Sequence, residues 1–560
     1  MMTEITGEIL EALRRKAQSP ELKRHAADLL TKLAGVDNTP RSDPAVLAGN
    51  EARVLNMVRE EIRDILGEAP EPQFVPIDMG IVNSPHFTQP HYTKTPERPE
   101  GLSVEDTYGG RGDLLLTLRG RGGEGLKLAI NSHVDTVAPH SMPRVEGDLV
   151  YGRGTADAKG QVVAMLIQMR ILKEVMDELG LSLNNDLCYM FVIEEEPGGN
   201  GSLSLAVQDP FPFDVLLVME ITELKVHPGN RGALWYKVAM NPAEGIPPVE
   251  MAARVVLALE EEGRQIKAES DHPLFPTRPV QTCQGILGPF GEHPSAVNDH
   301  IVLNIETDLD KDGLTRLIDG SIAAYCSDYD DKTEVTDPRT NEVLVERHYD
   351  LEGSAETFTL TIHGKAGHMG AILECDDAIT KMAYIVRDLV ARRLSGDGAM
   401  TIALDGHTGQ ELVLEGGQGF VPTHEIAEVM DRMRAAAERG ASAYCEQAGV
   451  VFKPDFVETT YDKLHNAAFA REVDTPAMET AIDACKKVGL WADEPLVGWT
   501  VSCDARIFAT TFPDREVLTF GVGSLSEAHA ANEFVSLTEI MNAAEMSAVY
   551  ALELCGWQKA

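Results

Sequence analysis

The sequence predicts an α/β protein in which a mixed, mostly parallel sheet is covered by helices and an α+β domain, itself duplicated, is inserted. Three observations carry this prediction. Short apolar runs such as LCYMFVI alternate with segments of helical spacing, which is typical of parallel strands buried between helices. The middle of the chain repeats one order of strands and helices after about 120 residues. The first pattern then resumes near the end of the chain.

The elements follow in order along the chain. Residues 1–66 are predicted to be helical, because EILEALRRKA, ELKRHAADLLTKLAG and NEARVLNMVREEIRDILGE place apolar residues at helical spacing. Residues 68–110 are rich in Pro, Gly and Asn and predict irregular structure. The predicted strands are GDLLLTLRG, LKLAINSHVD, LCYMFVIEE and FDVLLVME, and the predicted helices between them are GQVVAMLIQMRILKEVMDEL and GSLSLAVQ.

The insert is predicted from two similar αβ units in tandem, at about 240–350 and 357–460. Each unit begins with a strand, ALWYKVAM or FTLTIHG, and ends with a helix that closes on AAYC or SAYC. A chain of 560 residues is too long for one core. We therefore predict a helical N-terminal extension (1–66), a first part of the main domain (67–239), the insert (240–462) and a second part of the main domain (463–560).

Charge and cysteine content exclude several classes of function. The chain has 89 acidic and 49 basic residues and a net charge of −40, so neither nucleic acid nor a membrane is an expected partner. None of the eight cysteines forms a CxxC pair, so the sequence signals neither a thiolate zinc site nor a disulfide framework. The N-terminal sequence lacks the apolar core of a signal peptide, and we expect a cytoplasmic protein.

Histidine and acidic side chains stand where the predicted strands end. In AINSHVDTV, His133 and Asp135 alternate and can face one place, and Asp157 precedes the long helix in YGRGTADAKGQ. Further strand ends carry Glu194, Glu195, Glu196 and Glu220, and His529 is predicted on a loop before the final helix. Each has a plain structural alternative, which is a polar strand end, a helix cap or a solvated loop.

Taken together, these residues indicate a metal site. The carboxyl ends of strands are where open α/β sheets bind ligands, and uncompensated acidic groups that converge there would be destabilising. Divalent cations would remove that repulsion. Imidazole and carboxylate ligands without cysteine fit zinc, with cobalt or manganese as substitutes.

The motifs SHVDTV, GRGTADAKG, EEEPGGNGS, ME, GNRG, SCDAR and AHAANE, in this order, resemble those of the M20 metallopeptidases. That family includes aminoacylases, N-acyl-amino-acid deacylases, glutamate carboxypeptidases and dipeptidases, and the resemblance covers about 110–240 and 357–545. It implies a zinc-peptidase catalytic domain with a lid domain inserted. Two departures are Ile221, where many members have Pro, and Ser502–Cys503, where Thr-Ser is usual.

The resemblance also implies a role for each residue. Asp157 would bridge two zinc ions, of which one is completed by His133 and Glu220 and the other by Glu196 and His529. Asp135 would hold the ring of His133, Glu195 would be the general base, and Glu194 would help to orient the group. His368, in TIHGKAGHMG, would stabilise the oxyanion from the lid; its alternative is a surface loop residue.

The function expected from this resemblance is hydrolysis of an amide bond in an N-acyl amino acid or a short peptide. Arg231 and Arg506 are candidates for binding the substrate carboxylate, with a structural ion pair as the alternative for either. The main rival is a dipeptidase or aminopeptidase, and a rival of another class is a non-catalytic metal-binding scaffold. Because the lid is duplicated in one chain, we expect a monomer, with a homodimer as the alternative.

Overall fold

A computed structural model describes residues 4–275, 280–291, 294–329, 336, 341–354, 356–463, 465–525, 527–529 and 532–559. The chain divides into two compact units. The first comprises Met1–Asn230 and Phe469–Ala560, and the second comprises Arg231–Ala468. The sequence-based division, with its boundaries at residues 66, 239 and 462, stays a prediction.

The helices are α1 Gly7–Ala17, α2 Pro20–Ala34, α3 Pro44–Leu66, α4 Val104–Tyr108, α5 Lys159–Leu179, α6 Asn200–Gln208, α7 Pro248–Glu269, α8 Lys311–Asp328, α9 Ala378–Leu394, α10 Ile426–Ala448, α11 Pro476–Val488, α12 Ala505–Thr511 and α13 Leu537–Cys555. The strands are β1 Gln73–Pro76, β2 Gly112–Leu118, β3 Leu128–His133, β4 Arg144–Glu146, β5 Leu149–Tyr151, β6 Leu181–Leu183, β7 Leu187–Val192, β8 Val215–Met219, β9 Gly229–Asn230, β10 Gly232–Met240, β11 Thr282–Leu287, β12 Ala296–Val297, β13 His300–Thr307, β14 Tyr349–Ser354, β15 Thr357–His363, β16 Gly367–His368, β17 Met400–Leu404, β18 Leu412–Phe420, β19 Val457–Thr460, β20 His465–Asn466, β21 Phe469–Ala470, β22 Glu516–Phe520, β23 Phe534–Ser536 and β24 Trp557–Lys559.

The main sheet of the first unit has the order β1-β2-β7-β3-β8-β22. Strands β7, β3, β8 and β22 run parallel, and β1 and β2 add an antiparallel edge. Strands β3, β7 and β8 are buried along their whole length, which is why their sequences are continuous apolar runs. The predicted fold class, a mostly parallel mixed sheet with helical cover, is confirmed.

Helices α5 and α13 pack against each other and against β3, and α1, α2 and α3 pack on α5. Helix α5 begins two residues after Asp157, and its residues 159–169 are all buried. Packing of this helix in the core therefore fixes the backbone next to Asp157. In the part of the chain that the structure describes, no helix combines the length and the apolar character needed to cross a membrane.

The second compact unit contains two main sheets. Each of them combines strands from both of the αβ segments predicted at 240–350 and 357–460. One sheet has the order β11-β18-β10-β19 and the other β14-β15-β13-β17. Each sheet therefore takes two strands from each predicted unit, and the neighbouring strands in both are antiparallel. In chain order, strands β13 to β17 lie between β11 and β18, which pair with each other; the tandem division at 240–350 and 357–460 stays a prediction.

Candidate metal centre

Six of the predicted site residues lie at one edge of the main sheet, because its central strands are parallel. His133 ends β3, the glutamates 194–196 follow β7, and Glu220 directly follows β8. His529 lies on the loop after β22, the fourth parallel strand. The carboxyl ends of neighbouring parallel strands lie side by side. Residues that are far apart in the sequence are therefore close together in the structure.

The first group of candidate ligands is His133, Asp157 and Glu220, whose ligand atoms all lie within 4.8 Å of one another. The His133 Nε2 atom is 3.1 Å from Asp157 Oδ1 and 3.6 Å from Glu220 Oε1. All three side chains are buried. Two carboxylates and one imidazole therefore surround a single point away from solvent.

The second group is Asp157, Glu196 and His529, whose ligand atoms again lie within 4.8 Å of one another. The His529 Nε2 atom is 3.1 Å from Asp157 Oδ2 and 3.2 Å from Glu196 Oε2. Asp157 thus directs one oxygen to each group. This arrangement places Asp157 where a ligand shared by two ions would lie.

The electrostatics of these residues fit two divalent cations. Burial raises the pKa of Glu220 well above its ordinary value, and burial together with the Asp157 charge raises that of Glu196. Although burial opposes it, hydrogen bonds from His133 and His529 hold the pKa of Asp157 below its ordinary range. Among the described residues, Glu196 Oε1 is buried without a hydrogen-bond partner. The donors are imidazole nitrogens and carboxylate oxygens, which are the ligands that zinc and related ions accept.

Asp135 connects the carboxyl end of β3 with the turn that follows β7. Its Oδ1 atom is 3.4 Å from Nδ1 of His133, and its two carboxylate oxygens accept the backbone N–H groups of Glu195, at 3.2 Å, and Glu196, at 3.1 Å. The His133 Nδ1 atom is also 3.1 Å from the backbone carbonyl oxygen of Asp135. The carbonyl and the buried carboxylate of Asp135 therefore orient the His133 ring together, and the carboxylate also fixes the turn that carries Glu196. Outer groups of this kind set the direction and basicity of metal ligands.

The loop that carries Asp157 is held by Glu533, which the sequence analysis did not single out. Glu533 Oε1 accepts the N–H groups of Ala156 and Asp157, at 3.0 and 3.1 Å, and Oε2 accepts from Arg153 at 2.7 Å. Arg153 also donates to the His529 carbonyl at 3.1 Å. The pairing of β5 with β23 brings these two segments together. Both residues lie inside the quoted motifs GRGTADAKG and AHAANE, which was the available signal.

Glu195 lies beside this centre and belongs to neither group of candidate ligands. Burial raises the pKa of Glu195 well above its ordinary value, while the imidazole of His133 opposes the shift. A half-buried carboxylate next to the ligands and outside both groups can accept a proton without being bound to an ion.

The remaining predicted residues stand elsewhere. Arg506 is buried and donates from Nη2 to the Gly198 carbonyl at 2.9 Å, in the turn after Glu196. Arg231 is buried at the start of the second unit, and burial lowers the pKa of its guanidinium to about 10. His368 lies in β16 of that unit, where its backbone pairs with Ala296, and its side chain is outside the described residues.

Comparisons with known proteins agree with this fold. A family model described as "Peptidase family M20/M25/M40" matches residues 129–553. A peptidase M20 domain-containing protein of Schizosaccharomyces pombe is 33% identical over 141 residues, which are 24% of this chain and 34% of that protein. A probable carboxypeptidase of Ajellomyces dermatitidis is 36% identical over 126 residues, 20% of this chain and 27% of the other. The chain therefore aligns with about a third or less of these relatives' length.

Solved structures cover nearly the whole chain at low identity. The dipeptidase Dug1p from Saccharomyces cerevisiae superposes with a TM-score of 0.58 at 13% identity, over 98% of this chain and 99% of that one. At this identity the likeness extends to the fold alone.

Proposed function

Because the chain belongs to the peptidase family M20/M25/M40, whose model spans residues 129–553, we propose that it is a dinuclear metal-dependent hydrolase of amide bonds. The observation that carries the proposal is that two groups of candidate ligands, one buried and one partly exposed, share Asp157. A carboxylate with one oxygen in each group suits two cations about 3.5–4 Å apart.

Zinc is the proposed metal, with cobalt and manganese as substitutes. His133 and Glu220 would hold one ion, Glu196 and His529 would hold the other, and Asp157 would bind both. The donor set, two imidazoles and three carboxylates without a thiolate, supports this choice. When bound, such a pair of cations polarises a scissile carbonyl and lowers the pKa of a water molecule.

Glu195 is the proposed general base. Its carboxylate would take a proton from the attacking water and pass it to the nitrogen of the leaving group. Its position beside both groups of candidate ligands, and outside either of them, supports this role, since a general base must lie within reach of the proton that it takes. The backbone N–H groups of Glu195 and Glu196 both donate to Asp135. These hydrogen bonds would fix the position of the base relative to the metal ligand beside it.

The proposed substrates are N-acyl amino acids or short peptides. The names of the relatives, a probable carboxypeptidase and a dipeptidase, support a small substrate with a carboxylate near the cleaved bond. Arg231 and Arg506 are the proposed partners of that carboxylate, because a guanidinium can bind it through two parallel hydrogen bonds. A dipeptidase is the second candidate, and it is supported by the similarity of the fold to Dug1p.

The test is to load the metal-free protein with Zn²⁺ and to offer it N-acyl amino acids, free dipeptides and the same dipeptides N-acetylated. Release of a free amino acid from the acylated compounds supports a deacylase or carboxypeptidase, whereas a requirement for a free amine supports the dipeptidase. The Glu195→Gln variant is the control for contaminating activity. If the wild-type protein binds two ions and cleaves none of the compounds, a metal-binding scaffold replaces the enzyme.

We also propose that the protein acts as a monomer. The family resemblance assigns the oxyanion donor to His368 on the lid, and dimeric members lend this histidine to a partner. Two αβ units are predicted in one chain here, and the sequence places a histidine at this position in one of them. One unit would therefore take the place of a partner's lid, which sedimentation of the active protein can test.

A further inference from the structure

Three of the first 66 residues are linked by hydrogen bonds to the segments that carry the candidate metal ligands, two of them directly and one through Arg111. The two direct links involve Val36 and Asn38, in the turn between α2 and α3, and the third involves Glu51 of α3. We call these three residues the brace. Val36 and Asn38 contact residues within two positions of Asp157 and His133, and Glu51 reaches Glu194, two positions before Glu196, through Arg111. More than 90 positions separate each brace residue from the ligand of the segment that it reaches.

Asn38 connects the segments of His133 and Asp157. It is fully buried and donates from Nδ2 to the carbonyl of Val134, the residue after His133, at 2.7 Å. Its Oδ1 atom accepts from the buried Lys159 ammonium at 2.7 Å, and Lys159 also donates to the Val36 carbonyl at 3.0 Å. Lys159 begins α5, two residues after Asp157. A single amide of the brace therefore fixes the distance between two ligand segments.

Glu51 acts on the third segment through Arg111. The Arg111 guanidinium forms two hydrogen bonds with the Glu51 carboxylate, at 2.7 and 2.6 Å, and also pairs with Glu194. Glu194 accepts two further hydrogen bonds, from the hydroxyls of Tyr92 at 2.8 Å and Tyr108 at 2.7 Å. Glu51, Arg111, Glu194 and Tyr108 are buried and Tyr92 is half-buried. In the protein interior such bonds are strong, and the loss of one partner leaves a charge unpaired.

The backbone of Glu194 adopts a conformation that needs the support of its side-chain contacts. Its φ angle is 66°, in the left-handed region that residues other than glycine rarely adopt. This turn directs the chain from β7 into Glu195 and Glu196. Hydrogen bonds to the Glu194 side chain stabilise a conformation that the backbone alone disfavours.

We propose that the brace residues Val36, Asn38 and Glu51 position the ligand segments of His133, Asp157 and Glu196, and so set the affinity of the protein for its metal ions. This inference rests on the proposed function, since it concerns the same metal site. The brace residues contact no ligand side chain themselves and are positioning residues. The geometry gives the N-terminal helices a role in the site beyond covering the sheet.

The experiment compares two brace variants with a matched control. Glu51→Gln keeps the shape of the side chain and removes the charge that pairs with Arg111. Asn38→Asp keeps the acceptor for Lys159 and removes the donor to Val134. The control is Glu61→Gln, since Glu61 also lies on α3, is buried and pairs with an arginine, Arg170 at 2.7 Å, away from the ligand segments.

Binding of Co²⁺ and Zn²⁺ to the metal-free proteins is measured by competition with a chromophoric chelator, and the visible spectrum of bound Co²⁺ reports ligand geometry. We expect each brace variant to bind about tenfold more weakly, which equals about 1.4 kcal/mol, and to show a changed Co²⁺ spectrum. The control should bind within twofold of the wild type with an unchanged spectrum, even if its melting temperature falls.

Two results overturn the inference. In the first, the brace variants bind both ions within twofold of the wild type. In the second, the control loses affinity as much as they do, which would make the effect one of general stability. If the wild type itself binds no divalent cation, the proposed function fails and the inference with it, so the two failures are distinguishable. Circular dichroism of the metal-free proteins checks that each variant is folded.

Discussion

Replacing Asp135 with Asn perturbs the centre while leaving every candidate ligand in place. The two oxygens of Asp135 accept the N–H groups of Glu195 and Glu196, and one of them faces the ring of His133. Asparagine has nearly the same shape but offers one acceptor oxygen and one NH₂ group. Whichever way the amide turns, one backbone N–H faces another donor, and the His133 ring loses its charged neighbour.

The expected magnitude follows from these contacts. Loss of one hydrogen bond to a charged group is equivalent to about 1.5–3 kcal/mol, and 1.4 kcal/mol corresponds to a factor of ten in binding. The affinity for metal should therefore fall by about 10- to 100-fold. This agrees with the effect usually seen when an outer partner of a metal ligand is changed.

The assay is competition with a chromophoric chelator on metal-free protein, with thermal unfolding as a check on folding. Asp214→Asn is the control for the Asp→Asn change itself, because the exposed Asp214 accepts the N–H of Lys127 at 2.8 Å where β3 and β8 begin, at the opposite end of these strands from the site. An Asp135→Asn protein with wild-type affinity would refute the reasoning, as would an equal loss in the control.

Three further predictions concern the base, the lid and the pH dependence. Glu195→Gln should reduce kcat at least 10²-fold with both ions retained; near-normal turnover would remove Glu195 as the base. His368→Ala should reduce the rate by about 10²–10³, and mixing it with Glu195→Gln should restore nothing if each chain uses its own histidine; recovered activity on mixing would contradict the monomer. In the metal-free protein, burial raises the pKa of Glu220 above its ordinary 4.5, and carboxylates raise that of His133 above 6.5 although burial opposes them. The folded state then holds more protons than the unfolded chain, so the melting temperature should fall as the pH rises from about 5 to about 7. Glu220→Gln should show a shallower fall than the wild type, and an equal slope would contradict the assignment.

The candidate ligands could be predicted from sequence because each stands in a local pattern. His133 ends one apolar run, and Glu196 and Glu220 follow two others; these runs form the buried parallel strands β3, β7 and β8. The carboxyl ends of neighbouring parallel strands lie side by side. Helix α6 and strand β2 were also predicted correctly, since GSLSLAVQ and GDLLLTLRG carry their pattern within a few residues.

Long-range pairing is what the sequence analysis missed. The order of elements in the insert was visible, but strand partners depend on contacts that hydrophobic periodicity does not encode, and so the pairing of β11 with β18 was not predicted. The strand β1 was not predicted, because QFVP is short and contains proline. The contact of Arg111 with Glu51 joins residues 60 positions apart, and neither residue lies in a recognisable motif.

The most direct test of the central claim is the position of bound metal. Crystals of the Zn²⁺-loaded protein, with anomalous scattering measured at the zinc edge, should show two ions roughly 3.5–4 Å apart. Each ion should lie within about 2.0–2.2 Å of one oxygen of Asp157, with His133 and Glu220 completing one and Glu196 and His529 the other. A single ion, or two ions of which either lies away from Asp157, would contradict the account.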